Sequence, residues 1–361
     1  MAASPRVLDL AGRSRTTTVS VVASPWSEFL TGMQTFQFEE AAPTLDVEVG
    51  WFDEVRTKAS SDLTVALSRL GPMGWGALLS KALVERWPHD VSASIERVQS
   101  LPPEELWLLF AGYHVVPFAE HVGAEAFHRA AAGDAQARER LATAAYEMFG
   151  DREGETRLWV IPPAEVHALV CLALRAWYRD VFARQEREVT AVLERDAEAK
   201  RRLMRTASEE KLIELATNGV VYVPEAWVRR VILTPHVAMR TWNVTSAHGD
   251  TYVIAYPVAD ESLGVDRAAP PTHLLRLHKA LSDDKRLRIL RLLAHSDLNL
   301  QQLAEALGLA KSTAHHHTVV LRAASLIRTS TELENRYSLR RESLAEAGTA
   351  LIDYLEGGPS S

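Results

Sequence analysis

One break governs how this chain can fold. Residues 258–272, VADESLGVDRAAPPT, hold Gly264, Pro270 and Pro271 and carry no apolar period. That is the composition of a linker, not of a helix or strand. All nine Trp and all nine Phe precede the break, and only Tyr337 and Tyr354 follow it among the aromatics. The C-terminal side must therefore pack on Leu, Ile, Val and Ala, as small helical domains do. The N-terminal side owns the bulky, rigid side chains that fill a large core or line a cavity.

Charge divides at the same place. Residues 1–271 carry 28 Lys+Arg against 37 Asp+Glu, and residues 272–361 carry 12 against 10. The net charge of -7, which alone argues against a polyanionic partner, belongs to the first part. Between 311 and 341 six basic residues stand against two acidic ones. The acidic first part is accordingly expected to stand away from any duplex. A chain of 361 residues suggests two or three domains, divided as 1–258, a linker 259–272, and 273–356.

A lone cysteine, Cys171, excludes a disulfide framework and a thiolate cluster within one chain, and fits a cytoplasmic setting. The start MAASPRVLDLAGRSR has no signal-peptide core, and no run of about 18 apolar residues marks a membrane span.

Arg6–Leu10 and Thr17–Ala23 read as short strands. Ser24 and Pro25 open a helix as cap and first helical residue. Helices are expected over Ser61–Arg69, Gly76–Arg86, Val91–Gln99, Pro103–His114 and Asp134–Met148. Pro162–Arg205 is the longest helical stretch, apolar in its first half and charged in its second, with the charge read as a solvated or partner-facing face. Val220–Val223, Arg229–Thr234, Thr241–Thr245 and Thr251–Tyr256 read as a small antiparallel sheet.

The tail carries the chemistry. LSDDKRLRILRLLA is a helix capped by Ser282 or Asp283, with Leu287, Leu290 and Leu293 at helical spacing. Asn299 and Gln302 form a capping box before a short helix that ends at Gly308. A second helix runs from about Lys311 to Ala324. A short helix, a tight turn and a helix with a polar, basic amino end suit the major groove of double-stranded DNA. Lys311, Ser312, Thr313, His315 and His316 offer donors there. Arg322 lies further along the same helix. Leu326–Glu332 and Arg336–Leu339 read as a two-strand ribbon, with Arg336 near its tip and Arg340 and Arg341 following, placed to clamp phosphates or enter the minor groove. Glu342–Leu355 is amphipathic and suits pairing with a second copy.

These residues resemble a known family. LSDDKRLRILRLLA, LNLQQLAEALGLAKSTAHHHTVVLRAASLI and RYSL are similar to the winged helix-turn-helix of the arsenical-resistance-repressor (ArsR) family. The resemblance covers 273–356, about a quarter of the chain. It implies a DNA-binding homodimer with the helix around Ser312–His317 in the major groove. SPWSEFL, GVVYVPEAWVRRVIL and YVIAYP resemble, more loosely, the long region preceding this winged helix in some actinobacterial regulators. The chain departs from the family at three points. Ala310 stands where a capping Ser or Thr is usual, Ser325 replaces the Gly after the recognition helix, and the wing turn Leu333–Asn335 lacks Gly.

The fold class expected is therefore mainly α with small antiparallel β elements (α+β): a large helical N-terminal domain and a C-terminal winged helix-turn-helix. His315, His316 and His317 point about 100° apart along a helix, so the three cannot share one ion, and no metal or cofactor is assigned. His114, His121 and His128 recur every seven residues but Pro117 interrupts them, and they read as ordinary histidines. No HExxH, P-loop, GxSxG or dinucleotide fingerprint is present, and no catalytic residue is assigned. The function expected is a one-component, sequence-specific DNA-binding repressor answering to a small-molecule effector. A second reading stays open, namely an interaction or ligand-binding module, or an enzyme, with a vestigial winged helix.

Overall fold

The computed structural model describes residues 17–356 apart from 40–41, 43–44, 48–49, 73, 150–154, 224, 265–269, 271 and 331–335. The expected strand Arg6–Leu10, the wing turn Leu333–Asn335 and much of the linker lie outside the described residues.

The first part begins with strand β1 (Thr18–Val21). A helical assembly follows: α1 (Pro25–Gln37), α2 (Trp51–Lys58), α3 (Ser61–Leu70), α4 (Gly74–Val84), α5 (Val91–Gln99), α6 (Pro103–Phe110), α7 (Val116–Val122), α8 (Ala124–Ala131), α9 (Ala135–Phe149) and α10 (Pro163–Trp177). Local signals set the start of α1. The Ser24 hydroxyl accepts from Ser27 N, and Pro25 takes the first helical position, where its missing N–H costs nothing. α10 is the spine, with Val166, Val170, Ala173, Leu174 and Trp177 buried between α3 and α6. Trp26, Trp75, Trp107 and Trp177 are fully buried and Trp159 nearly so, so five of the nine tryptophans serve the core.

The long helix expected over Pro162–Arg205 is broken. A π-helical segment, Tyr178–Phe182, separates α10 from α11 (Glu186–Leu203). The charged second half is not merely a solvated face. Val192, Leu193, Asp196 and Ala197 form a buried stripe that packs on β1 and β3 (Arg230–His236). Buried Asp196 accepts from Ala259 N at 2.8 Å and Ser262 Oγ at 3.0 Å.

The sheet is mixed rather than antiparallel. Its order is β1-β3-β5-β4, with β4 (Val244–His248) and β5 (Thr251–Pro257). β1–β3 and β3–β5 pair parallel, and only β4–β5 is antiparallel. Helices cover both faces. Val231, Leu233, Ile254 and Tyr256 join a core with α11 and α12 (Glu209–Ala216), while Ala255 joins the helical core on the other face. Strands buried on both faces read as continuous apolar runs, the signature of parallel pairing, and RVILTPH is buried throughout except Arg230.

Two titratable groups at the end of β3 push stability in opposite directions with pH. Burial pushes His236 down from 6.5 to about 4, and its Nε2 faces Trp242 O at 3.1 Å. Burial pushes Glu28 up from 4.5 to about 7, although its carboxylate accepts from Val237 N at 2.6 Å and Ala238 N at 2.9 Å. His236 therefore contributes stability that is present above pH 6.5 and is lost as pH falls through 4. Glu28 contributes stability that is present below pH 4.5 and is lost as pH rises through 7. In the Glu28→Gln chain the histidine slope should stand exposed. Urea denaturation is expected to show roughly 3 kcal/mol lost between pH 6.5 and 4, against a flatter profile in the parent chain. Equal slopes in both would refute the assignment.

The C-terminal part has its own core, gathered from Leu277, Ile289, Leu290, Leu303, Leu321, Leu326 and Ile327 with Tyr337. Its helices are α13 (Thr272–Leu281), α14 (Asp284–Leu293), α15 (Leu300–Leu307), α16 (Lys311–Ala323) and α17 (Arg341–Leu355). Its strands are β6 (Leu298–Asn299), β7 (Ile327–Ser330) and β8 (Arg336–Leu339), and their sheet is completed from the first part by β2 (Val220–Val221), in the order β2-β7-β8-β6. The chain is mainly helical, α+β, with small sheets and a helix-turn-helix at its C-terminal end.

Candidate nucleic-acid interface

Local chemistry builds the helix-turn-helix as its residues predict. Asp283 caps α14 by accepting from Arg286 N at 2.9 Å. The capping box is complete: Gln302 N donates to Asn299 Oδ1, and Asn299 N donates to Gln302 Oε1, both at 2.9 Å. Gly308 ends α15 in the left-handed region at φ 63°, which glycine adopts without steric cost. Ala310 precedes α16 and offers no side-chain cap, so the amino end of α16 keeps unsatisfied N–H groups and a positive dipole end.

Lys311, Ser312, Thr313 and His315 are exposed at that end, and His316 is half-buried. His317 is buried on the opposite face, with Nδ1 3.8 Å from Asp283 Oδ1. Burial lowers its pKa, partly offset by that carboxylate. The wing strands pair antiparallel from Ile327↔Leu339 to Ser330↔Arg336. Arg336 is exposed, and its Nη1 donates to Asp297 O at 3.2 Å.

Arg322 and Arg340 lie elsewhere. Both sit where the C-terminal part meets the first. Arg340 is largely buried beside the Gly219 backbone. Arg322 lines a cavity between α16 and the first part, together with His315, Thr318 and Val319 of the same helix. Burial holds its pKa below the ordinary guanidinium value. Six of the eight candidate residues thus fall on α16's amino half or the wing, and two at the seam.

The first part does not stand away from the reading helix; it is docked onto it. β2 pairs parallel with β7, Val220 opposite Thr329. Thr329 N donates to Gly219 O at 3.0 Å. Asn218 Nδ2 donates to Arg322 O and Ala323 O, each at 3.2 Å, and so caps the C-terminus of α16 from the other side of the seam. Ser325 holds the left-handed conformation at φ 59°, and its hydroxyl donates to Asn218 Oδ1. The departure from Gly at this position thus supplies a contact that glycine could not make. Arg328 pairs with Glu214 at 2.7 Å.

A four-charge cluster pins the beginning of the linker. Arg240 pairs with Asp260 and with Asp46 at 3.3 Å, and Arg276 of α13 pairs with Asp46 at 3.2 Å and Asp260 at 2.6 Å. Of these residues, Asn218, Glu214, Asp46, Arg240 and Arg276 were not singled out from sequence. The one available signal was the dipeptide Asn218-Gly219, a turn marker that says nothing about a distant partner.

Residues 283–329 match the family model described as bacterial regulatory protein, arsR family. No curated protein and no solved structure matches the chain. No helix among the described residues is long and apolar enough to cross a membrane. With the caps, the turn, helix α16 and the paired strands β7 and β8 in place, residues 283–329 of this 361-residue chain are similar to the ArsR-family helix-turn-helix and follow a long N-terminal region, and that match points to a DNA-binding transcription regulator.

Proposed function

We propose that the chain is a one-component repressor that binds a specific double-stranded DNA site as a homodimer. On this reading residues 1–258 receive a small-molecule effector, 259–272 link, and 273–356 read DNA. The chain carries out no catalytic step.

The observation that carries this reading is the double engagement of α16. Its amino end presents Lys311, Ser312, Thr313 and His315, while the stripe His315, Thr318, Val319 and Arg322 faces the first part. A helix seated in a major groove is enclosed by the duplex along its reading face, so α16 must leave the first part to read DNA fully. The docked arrangement is then the released state. The homodimer draws support from α13 and α17, which pack together and leave Leu275, Ile352 and Leu355 more than half exposed. A two-fold pair would place its reading helices about 34–36 Å apart.

Fluorescence anisotropy with DNA from upstream of the chain's own gene tests the reading. Binding should be detectable at low salt and weaken as salt rises. Lys311→Ala should reduce discrimination at one or two base pairs. Arg336→Ala should weaken all sequences alike and flatten the salt slope by about one unit. Absence of binding at low salt would sink the proposal and favour the interaction-module or enzyme reading.

A further inference from the structure

The seam between α16 and the first sheet forms a half-open pocket of about 320 Å³, within the range of small-molecule sites. Its chemistry is one-sided. Among the described residues no Asp or Glu lines it, and Arg322 is the one full cation. Among the described residues, no carboxylate pairs with that guanidinium, whose electrostatic neighbour is the Tyr337 phenol.

Aromatic surface forms one wall. Tyr222 and Tyr252 stack with centroids 5.0 Å apart and planes 9° apart, and Tyr337 stands on the α16 side. Three lining groups are buried with no hydrogen-bond partner among the described residues: Tyr222 Oη, Thr329 Oγ1 and Asn243 Oδ1. Tyr222 is only 6% exposed. Leaving such groups unpaired is costly, and a ligand that pairs with them recovers that cost. The cation calls for an anion, the two hydroxyls can donate to it, Asn243 Oδ1 calls for a donor, and the tyrosines call for a flat ring.

We propose that this cavity is the effector site and that it takes a small aromatic carboxylate. The carboxylate sits on Arg322, the ring lies against Tyr222 and Tyr252, and a polar substituent meets Asn243. The inference rests on the effector-responsive reading above and gives that effector a place and a class. A ligand held from both sides of the seam favours the docked arrangement and so lowers DNA affinity, since a ligand shifts an equilibrium toward the state it binds better.

The test uses the full chain with three acids, 4-hydroxybenzoate, phenylacetate and indole-3-carboxylate, each beside its neutral amide. Calorimetry without DNA is expected to show at least one acid binding about tenfold or more tighter than its amide. Arg322→Gln should erase that ratio, and Arg322→Lys should keep part of it. Tyr222→Phe keeps the ring and removes the orphan hydroxyl, so it should weaken acid binding about fivefold; it serves if Arg322→Gln does not fold. No binding by any acid, equal binding of acid and amide, or an unchanged ratio in Arg322→Gln overturns the site. If Arg322→Gln instead weakens DNA binding on every sequence and flattens the salt slope, Arg322 is a phosphate contact and the proposal also falls. Acid binding that leaves DNA affinity unchanged supports the site and overturns the effector-responsive reading instead.

Discussion

Asn218→Gly should raise the affinity of the chain for its DNA site by roughly thirtyfold. Three hydrogen bonds across the seam depend on this one amide: two to the carbonyls that end α16 and one from Ser325. Each contributes about 0.5–1.5 kcal/mol net, so their loss moves the docked equilibrium by roughly 2 kcal/mol. The variant must be glycine. Asn218 sits at φ 57°, where an alanine would add backbone strain of its own and confuse the result. If docking and DNA binding exclude each other, whatever weakens the seam appears as tighter DNA binding, until the free form dominates. Anisotropy at fixed salt measures it. Unchanged or weaker binding by a normally folded Asn218→Gly chain would show that the docked form already reads DNA.

Arg240→Ala should cost roughly 3 kcal/mol of stability, read as a lower urea midpoint. Arg240 is buried and shares Asp46 and Asp260 with Arg276. Removing it strands two partly buried carboxylates on one more exposed guanidinium. Breaking such a cluster from one side is expensive because the remaining charges cannot regain water. Arg276→Ala removes the outer member and should cost about 1 kcal/mol, nearer the value of an exposed pair. Arg240→Lys should rescue little, because an ammonium cannot span two carboxylates as the guanidinium fork does. Equal losses at 240 and 276 would contradict this ordering.

How much of this could be read from the residues follows the distance over which each contact acts. The Asn299–Gln302 box, the Asp283 cap, the Gly308 turn and the Ser24-Pro25 start each involve atoms within a few residues, and each was legible. The family pattern rests on the same short-range order. The sheet of the first part was misread in its pairing because β1 lies some two hundred residues before its partner β3, with Val19 opposite Val231. Alternation and turns report only neighbours, and they rightly found the β4–β5 hairpin while missing the parallel strands around it. The charged half of the expected helix, now α11, looked solvated because Asp196 and Lys200 suggest water. In the fold Asp196 holds the backbone of Ala259 instead. Asn218 is a local turn residue by its neighbours, and its partners lie more than a hundred positions away. Arg322 and Arg340 were grouped with the reading face by sequence proximity and charge, and the seam that receives them is made of residues no local pattern ties to them.

The two-residue pairing of Val220–Val221 with Thr329–Ser330 also seals the open side of the wing. Without β2, β7 would present bare N–H and C=O groups along one margin, a template on which another chain can add a strand. A fragment cut at the linker therefore loses more than its first part: it gains a sticky border and a tendency to associate edge to edge. If α16 leaves the first part to bind DNA, as proposed above, the same border is uncovered at the same moment. Each freed copy then carries a β margin that its own first part can reclaim before a neighbour does, because the tether keeps that strand at a high local concentration.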